Sequence, residues 1–279
     1  MRKILLCATL AALGPVANAQ WLNYRTAGTP VTKDGKVDLS APTPHAADGH
    51  PDLTGVWHLG NRSLTPPSTE YSRGGPVDPN LELNSNVFRG MKLEDVPEKP
   101  EAAALRGERM KDGLRAAPPL FCQPAGMPIN SLVTEVVKMV QAPKEIIVLY
   151  ELDGTFRQIY TDGRPLPEIN QPTWLGYSTA HWDGDTLVVE SEGFNDKSWL
   201  DLSGHPHSES LHLTERYHRS DYGHMDVEMT FKDPALYSRP FTIKFAHRLE
   251  PESDIFESIC NEGEKDRVHL VGVDGAKVK

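Results

Sequence analysis

Residues 193–232 concentrate side chains that can transfer protons or bind metal ions. Five of the eleven histidines lie there, together with several aspartates and glutamates. Imidazole titrates close to neutral pH and is a common metal ligand, and carboxylates also serve in both roles. No His-Glu-x-x-His motif or other recognised metal spacing is present, so this stretch predicts a site without choosing its chemistry. The five histidines are His205, His207, His212, His218 and His224.

His205 and His207 flank a proline in a predicted loop. Because alternate residues of an extended segment point to the same side, both imidazoles can face one ion or one ligand. Asp201 or Glu209 is the candidate third ligand of a divalent metal, or a carboxylate could orient one imidazole. Acid–base chemistry without a metal is an equal alternative, in which His207 or Glu215 takes a proton and His205 supports or donates one. Hydrogen-bonded structural histidines are the remaining interpretation.

Glu215 is predicted to point into the protein, because it alternates with the apolar side of the run 210–219. Burial raises the pKa of a carboxyl group unless a cation pairs with it, so an inward Glu215 would be a candidate catalytic group. The apolar sides of this run and of the run 224–232 supply candidate ligand-lining side chains. These are Tyr217, Met225, Met229 and Phe231.

Arg157 is the candidate cation for Glu215, within the run 155–161. Aromatic side chains alternate with it there, and we take the aromatic side as inward, which predicts that Arg157 lies outside the barrel. Even if it faced inward, an ion pair with no catalytic duty would be an equal interpretation. Arg157 or Tyr177 is also the candidate group for stabilising negative charge in a reaction. Tyr177 and Trp174 could line a cavity or simply pack in the core.

The elements that must position these residues are predicted to be β-strands. Asp153-Gly154 and Asp183-Gly184 are strong hairpin signals between short alternating runs. No helix of crossover length separates the runs, which favours an antiparallel meander closed into a barrel, with room for one small ligand. The predicted strands are 55–59, 137–142, 145–152, 155–161, 173–182, 185–194, 210–219, 224–232, 241–249 and 254–260.

The rest of the chain is predicted to contain one helix and several extended segments. Residues 1–19 combine a basic start, a short apolar run and Ala-Asn-Ala, which is typical of a secretory signal peptide, so we expect a periplasmic or secreted protein. Residues 20–51 are rich in proline and glycine and are predicted to form an extended arm. A single barrel domain would span residues 52–270, with a helical insertion at about 95–113, before a C-terminal tail at 271–279.

Charge and cysteine content limit which ligands and partners the protein is expected to bind and whether it contains a disulfide. A formal charge of −10, with no cluster of lysines and arginines, argues against nucleic acid and leaves a small molecule as the expected ligand or substrate. After the predicted signal peptide, no apolar run reaches the length of a membrane-spanning helix. Cys122 and Cys260 are expected to form a disulfide in an oxidising compartment, with a two-thiolate metal site as the alternative.

Some phrases are long enough to compare with known families: CQPAGMP (122–128), YE (150–151), RQIYTDGRPLP (157–167), WDGDTLVVE (182–190), GHPHSE (204–209) and ER (215–216). They resemble a large group of secreted bacterial proteins, and Gly55-Val56-Trp57 is similar to the Gly-x-Trp signature of lipocalin-like (calycin-type) barrels. In such barrels the Trp plugs the floor and the Gly lets the backbone bend. The resemblance, which covers about residues 52–269, implies an all-β, antiparallel, lipocalin-like barrel with an irregular N-terminal extension and a short helix. It implies no particular activity.

Three functions therefore compete. The first is an exported enzyme acting on a small cyclic or aromatic molecule by hydrolysis or elimination. The second is a periplasmic protein that binds an apolar ligand inside the barrel, with the histidines outside the cavity. The third is a metal- or haem-capturing protein that uses His205 and His207.

Overall fold

The computed structural model describes residues 24–60, 86–89, 91–133 and 135–260. Nine strands form one closed barrel, in which each strand pairs with its chain neighbours and β9 pairs back with β1. The predicted signal peptide and the predicted tail lie outside the described residues. The strands are β1 (Gly55–Leu59), β2 (Val137–Ala142), β3 (Glu145–Tyr150), β4 (Phe156–Tyr160), β5 (Tyr177–Asp183), β6 (Thr186–Glu192), β7 (His212–Arg219), β8 (His224–Lys232) and β9 (Phe241–Leu249).

The predicted all-β barrel is confirmed, and each of the nine strands corresponds to a predicted run. The prediction of a further strand at 254–260 is wrong. Because β9 already pairs with β8 on one side and with β1 on the other, the closed sheet offers no free edge to a tenth strand. Residues 254–260 instead run outside the sheet, where the peptide N–H of Phe256 donates to Glu151.

One junction departs from the predicted antiparallel meander: β4 and β5 are parallel. The chain leaves β4, and Thr173 then exchanges backbone hydrogen bonds with Gly193 and Asn195 beyond the end of β6 before β5 begins. The connecting segment 161–176 is long enough for the chain to return to the other end of the sheet before β5 begins, as a parallel connection requires. Its prolines lack a peptide N–H, so they cannot take part in a strand ladder at their positions. The register of β4 with β5 is short, Ile159 opposite Ser178 and Tyr160 opposite Thr179.

Trp57 of the Gly-x-Trp phrase packs in the core, beside Arg219 at the end of β7. Trp57 is fully buried, and its indole N–H donates to the carbonyl of Leu53 at 3.0 Å. The Arg219 guanidinium lies 4.9 Å from the centre of the Trp57 ring, a cation–π contact. Gly55 has φ +153°, and a Cβ atom there would lie 2.4 Å from Leu249 Cδ1, so the backbone can approach β9 only with glycine.

Helices are few and short. The predicted helical insertion is confirmed as α1 (Pro100–Lys111), which begins with a proline in its first turn and is followed by Gly113 at φ +65°. A second helix, α2 (Ile129–Leu132), precedes β2 and is buried. Three 3-10 turns lie at Leu93–Asp95, Pro118–Phe121 and Leu152–Gly154. Among the described residues, none of the helices is long and apolar enough to cross a membrane.

The predicted disulfide is confirmed: Cys122 is bonded to Cys260, 138 residues later. It joins the segment before β2 to the segment that follows β9. A cross-link that closes so long a loop restricts the unfolded chain and contributes roughly 2–4 kcal/mol to stability. Residues 257–260 therefore lie near Pro124, Asp153 and Gly154, with which they line a pocket.

Candidate functional site

Arg157 points into the barrel, so the prediction that it lies outside is wrong. Its exposed fraction is 2%, whereas that of its neighbour Phe156 is 61%. The reason is that four side-chain hydrogen bonds compensate the burial of the guanidinium, which the alternation of apolar and polar residues cannot reveal. Ile159 follows Arg157 on the same inward face.

The guanidinium of Arg157 joins β4 to the three strands that follow. It does so at the short parallel junction of β4 and β5, which we call the seam. Nε donates to Ser178 Oγ on β5 at 2.9 Å, and Nη2 donates to Ser191 Oγ on β6 at 2.7 Å. Nη1 donates to Oε1 of Glu215 on β7 at 3.1 Å, and Nη2 donates to Oε2, which makes the ion pair bidentate. Tyr217 completes the network with a hydrogen bond from its hydroxyl to Glu215 Oε1 at 2.6 Å.

Glu215 is fully buried, as predicted. It pairs with Arg157, the candidate cation, which the sequence was expected to place outside the barrel. Burial alone would lower the pKa of the guanidinium, but the carboxylate more than offsets this, so the pKa of Arg157 lies above its ordinary value. Burial raises the pKa of Tyr217, with the Glu215 carboxylate adding to the rise, and this keeps the phenol protonated as a donor. Burial also raises the pKa of Tyr150, which lies against the same pair. Both side chains of the pair are therefore buried and hydrogen-bonded within the protein, and neither is an exposed acid or base.

An aromatic cleft opens on the outer side of this seam, with a volume of about 470 Å³. Tyr160 and Tyr177, one on each strand of the parallel pair, stack with ring centres 5.2 Å apart. Arg164 fixes both rings, because its guanidinium lies 3.8 Å from the Tyr160 ring centre and donates to the Tyr177 hydroxyl at 3.2 Å. The residues lining this seam cleft are Pro124, Gly154, Thr155, Phe156, Arg157, Gln158, Tyr160, Thr173, Trp174, Leu175, Gly176 and Tyr177.

The predicted ligand-lining residues separate into two groups. Trp174 and Tyr177 line the seam cleft, together with Arg157. The other four have exposed fractions of 2% or less and belong to one hydrophobic cluster that fills the barrel. The prediction failed to separate the groups because inward alternation identifies buried side chains but not which of them face a space. The four core residues are Tyr217, Met225, Met229 and Phe231.

His205 and His207 are both buried, but each bonds to a different partner. His205 Nδ1 lies 2.6 Å from Asp201 Oδ2, so a carboxylate orients this imidazole, one of the predicted alternatives. His207 Nδ1–H donates to the carbonyl of Ser208 at 3.2 Å, which leaves Nε2 to accept from Ser198 Oγ at 2.7 Å. Burial lowers the pKa of His207 and favours its neutral form.

The metal prediction brought together His205, His207 and Glu209, and Glu209 is exposed. In the part of the chain that the structure describes, no group of three histidine, cysteine, aspartate or glutamate side chains is placed to hold a metal ion. A metal therefore stays a prediction from the sequence. Of the other three histidines of the stretch, His212 pairs with Glu190 and His224 pairs with Asp221, and His218 is exposed.

Sequence reasoning missed a buried histidine inside the barrel. His247 on β9 is 3% exposed, and its Nε2 lies 3.3 Å from the carbonyl of Ser131. Burial lowers its pKa to about 4, so the imidazole is neutral at ordinary pH. Its position between Phe245 and Leu249 on the inward face of the run was the available signal.

Comparison of the chain with protein-family models, with curated proteins and with solved structures found no match. The closed nine-stranded barrel is compatible with the lipocalin-like architecture that the sequence phrases imply. Membership of that family stays a prediction.

Substitution of Arg157 tests how much the buried ion pair with Glu215 contributes to the stability of the protein. We expect Arg157→Met to lower the free energy of unfolding by about 3–5 kcal/mol, because it leaves Glu215 buried without its partner. The double variant Arg157→Met/Glu215→Leu should recover a large part of this loss, since it removes both charges. Equilibrium unfolding in urea measures the difference.

The control is Arg216→Met, which breaks an exposed ion pair with Asp183. It should change the free energy of unfolding by less than about 1 kcal/mol. An effect of Arg157→Met as small as that of Arg216→Met would contradict the structural role of the buried pair.

His247 should make the fold sensitive to acid. Its folded pKa of about 4 lies below the ordinary value of 6.5, so between these pH values the unfolded state binds more protons and stability falls as pH falls. We expect His247→Gln to remove about 2–3 kcal/mol of the loss in stability between pH 7 and pH 4. His218→Gln, at an exposed position, is the control, and equal pH slopes in wild type and His247→Gln would contradict the assignment.

Proposed function

We propose that the protein is an exported binding protein for a small, planar aromatic molecule, which it holds in the seam cleft. The observation that carries this proposal is the lining of the cleft, where Phe156, Tyr160, Trp174 and Tyr177 surround a volume of about 470 Å³. Pockets of a few hundred cubic ångströms, lined by aromatic side chains and a few polar groups, are typical of small-molecule sites.

The aromatic walls favour a flat ring over a branched aliphatic ligand. Tyr160 and Tyr177 already stack on each other, and Arg164 restrains both, so little side-chain freedom remains to be lost when a ring packs beside them. Offset or edge-to-face packing of a ligand ring against such side chains adds about 0.5–1.5 kcal/mol beyond the burial of apolar area.

The geometry supports binding better than acid–base catalysis. Among the described residues that line the seam cleft, only Arg157 and Tyr177 belong to the predicted catalytic set. Glu215, His205 and His207 are 4% exposed or less and bond to other protein groups. A proton could pass from them to a ligand in the cleft only after these hydrogen bonds break. The proposal therefore develops the second of the three competing functions, with the ligand at the barrel wall instead of in its interior.

Naphthalenemethanol, a neutral planar aromatic probe, tests the proposal by isothermal titration calorimetry. Phe156 lines the cleft but is 61% exposed, so Phe156→Ala should leave the fold intact. Loss of about half of a ring's contact area should weaken binding roughly threefold to tenfold. Tyr24→Ala, which removes an aromatic side chain 80% exposed outside the cleft, should not change the affinity.

Two results would contradict the proposal. One is the absence of binding to the wild-type protein at millimolar probe. The other is an equal loss of affinity in Phe156→Ala and Tyr24→Ala, which would place the probe on nonspecific surface.

A further inference from the structure

A second pocket lies next to the seam cleft. It has a volume of about 410 Å³ and shares two lining residues with the seam cleft, Pro124 and Gly154. The far side of this disulfide pocket, as we name it, consists of the bonded cysteines and the segment 257–260. The two pockets are therefore neighbours, and we refer to them together as the groove, which offers more space than a single aromatic ring requires.

The two ends of the groove differ in chemistry. The seam cleft is aromatic, whereas the disulfide pocket is lined by two carboxylates, Asp153 and Glu257. One oxygen of Asp153 accepts the peptide N–H of Ala125 at 2.7 Å, and the Glu257 side chain is exposed. Within the described lining of both pockets, the only basic residue is Arg157, and Glu215 neutralises its charge.

The carboxylate of Asp153 lies in an environment that would favour a neighbouring cation. It is half-buried, and burial raises its pKa, with Glu135 adding to the rise. A carboxylate that has lost part of its hydration gains from an opposite charge placed within a few ångströms.

We propose that the groove binds an elongated aromatic amine, with its ring in the seam cleft and its ammonium group between Asp153 and Glu257. This inference rests on the proposed function, since it assigns the ring to the same cleft. It adds the class of ligand, an aromatic ring joined by a short chain to a cation.

A matched pair of probes tests the charge preference separately from ring binding. Naphthylpropylammonium and naphthylpropanol share a ring and a chain and differ in the terminal charge. In calorimetry at low ionic strength, the ammonium probe should bind the wild-type protein roughly threefold to tenfold more tightly than the alcohol. In Asp153→Asn/Glu257→Gln this ratio should fall to about twofold or less, while the affinity for the alcohol should stay unchanged.

Asp34→Asn is the control for the general negative charge of the protein, because Asp34 is exposed and lines neither pocket. It should keep the wild-type ratio. Equal affinity of the two probes for the wild-type protein, or the same ratio in the double variant as in Asp34→Asn, would overturn the inference and leave the aromatic cleft in place. Failure of both probes to bind would contradict the proposed function itself.

Discussion

The buried bond between Arg157 and Glu215 holds together the part of the barrel where backbone pairing is weakest. The parallel junction of β4 and β5 has a register of two residues on each strand, whereas antiparallel neighbours such as β7 and β8 pair over eight. Side-chain hydrogen bonds replace part of the backbone hydrogen bonding that this junction lacks, because one guanidinium joins β4 to Ser178, Ser191 and Glu215 on the next three strands. A planar fork with five donors is suited to this, and a lysine at position 157 could not reach the three strands at once.

The same junction explains why the cleft lies where it does. Because β4 and β5 pair over a short register, the outer surface of the sheet stays open beside them. The connecting segment 161–176 forms one wall of the cleft at this opening. Tyr160 and Tyr177 stack on each other at this junction, and both line the cleft together with Arg157. The interior of the barrel, in contrast, is filled, since the side chains of β7 and β8 that were expected to surround a ligand pack against one another. A binding function is thus compatible with a filled barrel.

Most of the fold could be predicted from alternation and turn signals, because these depend on neighbours in sequence. Nine strands, helix α1 and the inward position of Glu215 were available in this way. The pairing of Cys122 with Cys260 was available from the number of cysteines and the expected oxidising compartment. The orientation of Arg157 was not, since it depends on partners 21 to 58 residues away that compensate its charge. The parallel junction and the partners of the histidines are likewise tertiary features. A strand at 254–260 was predicted on good local propensity and failed because the sheet was already closed.

The central claim is that ligands bind at the seam and not inside the barrel, and fluorine NMR of protein labelled with fluorotryptophan tests it most directly. The chain has five tryptophans, of which Trp174 lines the seam cleft and Trp57 is buried in the core. The Trp174 resonance is assigned from its disappearance in Trp174→Phe, and that of Trp57 in the same way. Titration with an aromatic probe should shift the Trp174 resonance and leave that of Trp57 in place. A shift of the Trp57 resonance, with that of Trp174 unchanged, would place the ligand inside the barrel and contradict the account.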